Sequence, residues 1–446
     1  MSGFTYAYNS QTYKITSWSN DIIADPPSEF ILFNKQRFVP TTARHGTGYS
    51  IFTALSHAFR INIKVFAALE TQVKYYLIEI ENITSLPQNI SIDFIAKMVL
   101  GTTEEKTNRH LLPEWDEEEN CFYFRNVYNN TFRDTRVFLS SSEKIVDYDE
   151  INPTNKRIEI EAHISEGETK RLAFMIGACK LQPAVFSRKI AEIDTEFQAV
   201  KQYWKKKLSV LKIQTPDTSF NYMMNTWFLY QTLASRLMAR SGFYQVGGAF
   251  GFRDQLQDVM SVMYVDDSIA RNQILKHAAH QFPEGDVLHW WHDETSFGTR
   301  TTFSDDYLWL VYVSFEYIHM TGDYAILNEQ VPFVQGEKLN ENETEKGIVF
   351  SIGHQTESLY HHLKICINKA LNQFGQHGLP LMGCGDWNDG MNKVGYKGKG
   401  ESVWVGFFLL DILPKMIELA SHKQDETLVK TCRNVIPELK QAIIKN

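Results

Sequence analysis

A chain of 446 residues with a formal net charge of −8 has no long Lys/Arg stripe with which to neutralise phosphates, so nucleic-acid binding is excluded as its main role. The length allows two or three domains around large cores, and 9 Trp, 20 Tyr and 29 Phe suit both such cores and clefts that stack sugar rings. Five scattered cysteines, a start without a basic-apolar leader, and no apolar run of about 18 residues predict a cytoplasmic protein without disulfides or a membrane span.

Up to about residue 185 the chain consists of short β-branched and aromatic runs, such as Val73 to Ile80, Ile90 to Ile95 and Cys121 to Phe124, separated by polar turns. This pattern predicts a β-sandwich over residues 1–186. Asn-x-Ser/Thr triplets at Asn82, Asn89 and Asn129 read as chance occurrences. From Ser187 the period changes. Ile193, Phe197, Val200, Trp204, Leu208 and Leu211 recur at helical spacing, with Lys205 to Lys207 on the wet face, and predict a helical linker over 187–214 that stops at Thr215-Pro216-Asp217.

Beyond it, helices are expected over Phe220 to Met238, Asp254 to Val265, Asp305 to Met320, Glu357 to Phe374 and Trp404 to Leu419, alternating with glycine- and aromatic-rich loops. Residues 215–446 therefore read as an all-α toroid of paired helices. The whole is an α+β multi-domain chain. Loops this long inside a compact domain usually carry function.

Three of these loops concentrate polar and aromatic residues. The first, Gly247 to Asp258, has flexible glycines and then Arg253, Asp254 and Asp258, the two acids one helical turn apart and able to grip sugar hydroxyls. Its bland reading is capping by Asp254 and a surface ion pair. The second runs from His289-Trp290-Trp291-His292 to Arg300 and Ser304-Asp305-Asp306. Paired Trp can stack a pyranose while His and Asp read its edges. Core packing of the Trp residues and a helix cap at Asp305 are the structural alternative, and a metal site lacks further ligands near His289 and His292.

The third segment, Gly378 to Asn392, is the most specific. Asp389, beside Trp387 and Asn388 in a glycine-defined loop, can be desolvated enough to keep its proton near neutral pH, as a general acid must. Asp386 stands only three residues away. An acid and base on opposite faces of one sugar need roughly 6.5–9.5 Å between carboxyls, so a single acid, with inorganic phosphate as the nucleophile, is the simpler chemistry.

These three segments, with Arg44-His45-Gly46-Thr47-Gly48-Tyr49-Ser50, Arg125 to Asn129 and Gly400-Glu401-Ser402-Val403-Trp404, resemble the family 94 glycoside phosphorylases, especially the phosphorylase-like region of cyclic β-1,2-glucan synthases. The resemblance implies a β-sandwich, a helical linker and an (α/α)6 barrel. It also implies inverting phosphorolysis of a β-glucosidic bond to α-glucose 1-phosphate, with Asp389 as the acid and no cofactor other than phosphate as co-substrate. Arg253, Asp254, Asp258, His289, Trp290, Trp291, Arg300, Asp306, Trp387, Asn388 and Glu401 become the expected substrate-binding residues. The expected ligands are a β-glucan oligosaccharide and phosphate.

Asn446 lies only 57 residues beyond Asp389, whereas the family pattern carries further barrel helices and phosphate-binding loops. A fragment completed by another chain or segment, or by oligomerisation, is therefore expected, and full-length relatives anchored at the inner membrane fit the same resemblance. Two other readings stay open: a β-glucan hydrolase in which Asp258 or another carboxylate activates water, and an inactive glucan-binding remnant.

Overall fold

The computed structural model describes residues 14–16, 28–101, 107–128, 133–150, 155–180, 186–240 and 248–446. The chain divides into two compact units, residues 1–248 and 249–446. Asn129 and Gly247 of the motifs above lie outside the described residues.

In the first unit, antiparallel strands form two sheets. One has the order Asp147–Glu150, Asn155–Ile164, Gln88–Gly101, Glu29–Phe33, Gln36–Arg37, with Lys14–Thr16 also on Gln88–Gly101. The other runs Thr42–Gly46, Tyr49–Leu55, Phe59–Ala67, Val73–Asn82, Thr169–Lys180, Thr135–Ser141, Cys121–Asn126, Leu111–Asp116. Inward residues such as Ile92, Phe94, Ile158, Ile63, Ile78, Phe122 and Phe174 share one core, and Phe94 stacks on Phe174 with ring centroids 5.3 Å apart. The expected strands at Val73, Ile90 and Cys121 are all present.

Val73–Asn82 and Thr169–Lys180 are buried on both faces for most of their length, because helix α1, Ile190–Lys207, covers the outer face of their sheet. Ile193, Phe197, Val200 and Trp204 form the buried stripe the spacing predicts, and a bidentate Arg171–Asp194 ion pair at 2.8 and 2.6 Å ties the helix down. Lys205, Lys206 and Lys207 fall at its C-terminal end, where cations complement the helix dipole. The helix stops before Leu211, which is left exposed.

The Arg44 to Ser50 motif is a hairpin tip lying against this helix. Gly48 has φ +82°, a Cβ there would sit 2.4 Å from the Trp204 ring, and its N–H donates to the Tyr230 hydroxyl at 2.9 Å. Asn82 is buried and donates to the carbonyls of Leu86, Ile164 and Ser165, so its triplet is a turn-holding device. Residues Thr218–Met238 form the expected helix, but with π-helical turns at Met223–Trp227 and Thr232–Met238.

The second unit holds helices α2 (Phe252–Val259), α3 (Asp267–Ala278), α4 (Asp306–Thr321), α5 (Leu359–Leu371), α6 (Val403–His422) and α7 (Glu426–Lys445). Helix α4 is apolar on nearly every side, and it packs against α2, α3, α5 and α6. Helices α6 and α7 form an antiparallel hairpin through Gln424, at φ +58°, and Asp425, which caps α7.

The all-α expectation for this region is corrected. A five-stranded antiparallel sheet runs Phe250–Gly251, Leu288–His292, Phe297–Thr301, Glu345–Ser358, Gln330–Gly336. Its strands are short or mostly half-exposed, with weak alternation, so glycine- and aromatic-rich stretches that read as loops pair as strands.

Candidate active site

Four pieces of the second unit converge: the start of α2, the strand Leu288–His292, the N-terminus of α4, and the loop before α6. The strand owes its local shape to a bulge. Leu288 pairs with Arg300 and Trp290 with Thr299, leaving His289 as the extra residue, and such a bulge re-aims a side chain.

His289 Nδ1 lies 2.7 Å from Asp306 Oδ2, and the ring stacks on Phe303 with centroids 4.2 Å apart and planes 7° from parallel. Its Nε2 lies 3.9 Å from Asp389 Oδ2. Burial disfavours the charged ring. The charge and hydrogen bond of Asp306, with Asp389 and Asp254 behind them, outweigh that and raise its pKa to about 9.

Arg253 reaches the same carboxyl from α2, donating to Asp389 Oδ1 at 3.3 Å and to the Trp387 carbonyl at 3.2 Å. Its guanidinium also lies 5.1 Å from the Trp387 ring centroid. The Trp387 indole N–H donates to Gln257 Oε1 at 3.2 Å. Asp389 itself is half-exposed, and its pKa is raised: burial dominates over the lowering pull of His289 and Arg253.

The loop that carries Asp389 is pinned on both sides of an exposed arc. Gly383, at φ +64°, presses so closely on the Thr302 carbonyl that a Cβ would lie 1.9 Å from its oxygen, and Gly395 packs against the Gly383 carbonyl in the same way. The Gly385 carbonyl accepts from the Ser304 N–H at 3.1 Å. Asp386 is buried and accepts the Ser402 hydroxyl at 2.7 Å, while Ser402 Oγ caps α6 by accepting from the Val405 N–H at 3.0 Å. Asp386 and Asp389 therefore serve different partners. Replacing Ser402 with Ala is expected to destabilise the second unit by roughly 1–3 kcal/mol, from the lost cap and an orphaned Asp386 oxygen, read as a lower thermal midpoint.

The structure brings Arg253, Asp254, His289, Asp306, Trp387 and Asp389 together and sets other expected residues elsewhere. Trp291 is corrected from sugar platform to core: it is fully buried between Phe250, at 5.3 Å, and His280, at 4.1 Å, and donates to Asp293 at 2.9 Å. Trp290 remains half-buried on the bulged strand. Arg300 is corrected too. It is buried in a bidentate pair with Asp286, its guanidinium 3.6 Å from the Phe282 ring centroid, so its donors are spent inside the fold.

Glu401 closes a turn instead of facing the group: it accepts the His377 N–H at 2.9 Å and pairs with the His377 ring at 2.5 Å. Asn388 caps the turn Asp389–Met391 through the Gly390 N–H at 3.1 Å. Asp258 is half-buried one turn after Asp254. Asp305 makes no side-chain cap; its Oδ2 accepts the Trp309 indole N–H at 3.0 Å, while Oδ1 is buried without a partner and burial raises its pKa. The sequence reading missed Gln257, Phe303 and the link from Asp386 to Ser402. Only the last has a local signal, a Ser followed by an apolar helix. Among the described residues no group of three or more His, Cys, Asp or Glu could hold a metal ion, and no helix is long and apolar enough to cross a membrane.

Comparison with known proteins matches the glycosyl hydrolase 94 supersandwich domain to residues 2–157 and the glycosyl hydrolase 94 superfamily catalytic domain to residues 203–446. The cyclic beta-(1,2)-glucan synthase NdvB of Rhizobium meliloti is 30% identical over 99% of this chain, which spans 17% of that protein. The N,N'-diacetylchitobiose phosphorylase of Vibrio furnissii is 21% identical over 96% of this chain, which spans 61% of its length. A bacterial glucoamylase solved with acarbose shares the fold at a TM-score of 0.55 and 11% identity, over 93% of this chain and 61% of its own. With a supersandwich match in the first unit and a catalytic-domain match that takes in the whole Asp389 group, the chain belongs to glycosyl hydrolase family 94.

Proposed function

We propose that this chain supplies the acid of an inverting phosphorolysis of β-glucosidic bonds, with β-1,2-glucan as substrate. Inorganic phosphate attacks the anomeric carbon from the face opposite the bond, the bond to the glycosidic oxygen breaks, and Asp389 gives that oxygen its proton. The products are α-glucose 1-phosphate and a glucan one residue shorter, and solvent returns a proton to Asp389. No cofactor takes part. The observation that carries this reading is the raised pKa of Asp389 beside Arg253 and Trp387, with Asp386 committed to Ser402. The phosphorylase relative and the β-1,2-glucan synthase relative support the reaction class and the linkage respectively.

We further take residues 1–186 as the sandwich, 187–214 as the linker and 215–446 as part of an (α/α)6 barrel completed by a further segment, chain or copy. Val403, Trp404 and Phe407 support this completion, since they leave an exposed apolar row on α6 at the helical spacing of a packed face.

Incubation with β-1,2-glucan oligosaccharides and phosphate is expected to release α-glucose 1-phosphate, assayed enzymatically. Free glucose released equally with and without phosphate would establish the hydrolase instead, and neither product would favour a binding role.

A further inference from the structure

Both ring nitrogens of His289 face carboxylate oxygens, Nδ1 toward Asp306 at 2.7 Å and Nε2 toward Asp389 at 3.9 Å. The first is a hydrogen bond and the second an ion-pair distance, so a protonated ring is attracted to both carboxylates while a neutral one is held by Asp306 alone. The ring has little freedom to turn away, because Phe303 lies flat against it and Asp306, buried at the start of α4, fixes Nδ1. Such a carboxylate behind an imidazole sets the ring's orientation and favours its protonated form.

We propose that His289 is a positioning residue: an imidazolium clamped by Asp306 that bridges to Asp389 and, with Arg253 on the other carboxyl oxygen, fixes the rotation of the acid and sets its strength. This rests on the reading of Asp389 as the acid. The ionisable groups that bear on the bridge are Asp305 just before α4, Asp306 at its start, Arg253 and Asp254 from α2, and Asp389 from its loop. Two cations beside a half-exposed carboxyl whose pKa partial burial raises keep it a strong enough acid to part with its proton. Asp305 has the part of a buried, neutral neighbour, since a second charge beside Asp306 is disfavoured by burial.

The test has one arm that needs no turnover. The full chain labelled at histidine ring carbons is titrated by NMR. The His289 midpoint is expected near 9 in the wild type, and to fall by roughly 1–3 pH units in Asp306→Asn and by a smaller amount in Asp389→Asn. The second variant alters a half-exposed side chain, so its fold is safe even if Asp306→Asn unfolds. A wild-type midpoint at the ordinary histidine value, or one unmoved by Asp389→Asn, overturns the bridge.

The second arm follows phosphorolysis against pH. Asp389 acts protonated, so the rate falls as pH rises through its pKa. Losing a cation raises that pKa. His289→Gln is therefore expected to move the alkaline limb upward by roughly 1 pH unit while kcat falls and KM stays near its wild-type value. A lower kcat with an unmoved limb would reduce His289 to a structural role and overturn the proposal. A wild type that makes no glucose 1-phosphate would count against the phosphorylase reading alone, since the titration decides the bridge by itself.

Discussion

Asp389→Asn is expected to lower glucose 1-phosphate release by roughly 10²–10⁴-fold, the span that a positioned proton donor contributes, with KM little changed. The amide is nearly isosteric and the position is half-exposed, so Arg253, Trp387 and the arc should stay in place. What is lost is the proton. The leaving hydroxyl would depart as an alkoxide, and no other described carboxyl lies in the same contact with Arg253. A substrate whose leaving group needs no protonation, such as an activated aryl β-glucoside, should recover most of the rate in the variant. Equal glucose 1-phosphate release by wild type and variant from the natural linkage would remove Asp389 from the role.

The largest loss of stability is expected from Arg300→Ala. It leaves Asp286 buried without its counter-charge, and removing one partner of a buried pair costs roughly 3–5 kcal/mol. Thermal unfolding of the second unit should begin well below that of the wild type. Filling the site with paired apolar residues, Arg300→Met with Asp286→Leu, should restore much of the loss, since the penalty comes from the stranded charge and not from missing attraction. If Arg300→Ala melts like the wild type but binds glucan more weakly, Arg300 is a sugar contact after all.

The contrast between Asp389 and Arg300 shows what the sequence could disclose. The exposure of Asp389 beside Trp387 was legible because the glycine-rich loop that carries it is local, but its partners Arg253 and His289 lie far away in sequence. The sandwich strands were legible as β-branched and aromatic runs set off by polar turns, and helix α1 because period 3.6 writes its buried stripe into residue order. Arg300 and Trp291 were misread because their partners, Asp286 and the Phe250 and His280 rings, are gathered by strand pairing and packing. In a short, bulged sheet the same polar and aromatic letters serve core and cleft alike. His289 and Trp291 stand two residues apart, yet the bulge turns one toward Asp389 while packing buries the other.

The arc from Trp387 to Val394 is exposed throughout, while Gly383 before it and Gly395 after it lie so close to carbonyl groups that neither position has room for a side chain. On the reading of Asp389 as the proton donor, placement of that donor and cohesion of the helical unit are separable traits. On that reading, lengthening the arc or changing its residues other than Trp387 and Asp389 would change how far the donor reaches while the glycine anchors stay as they are, so one scaffold could be fitted to glycosidic bonds of different geometry by changes confined to this surface segment.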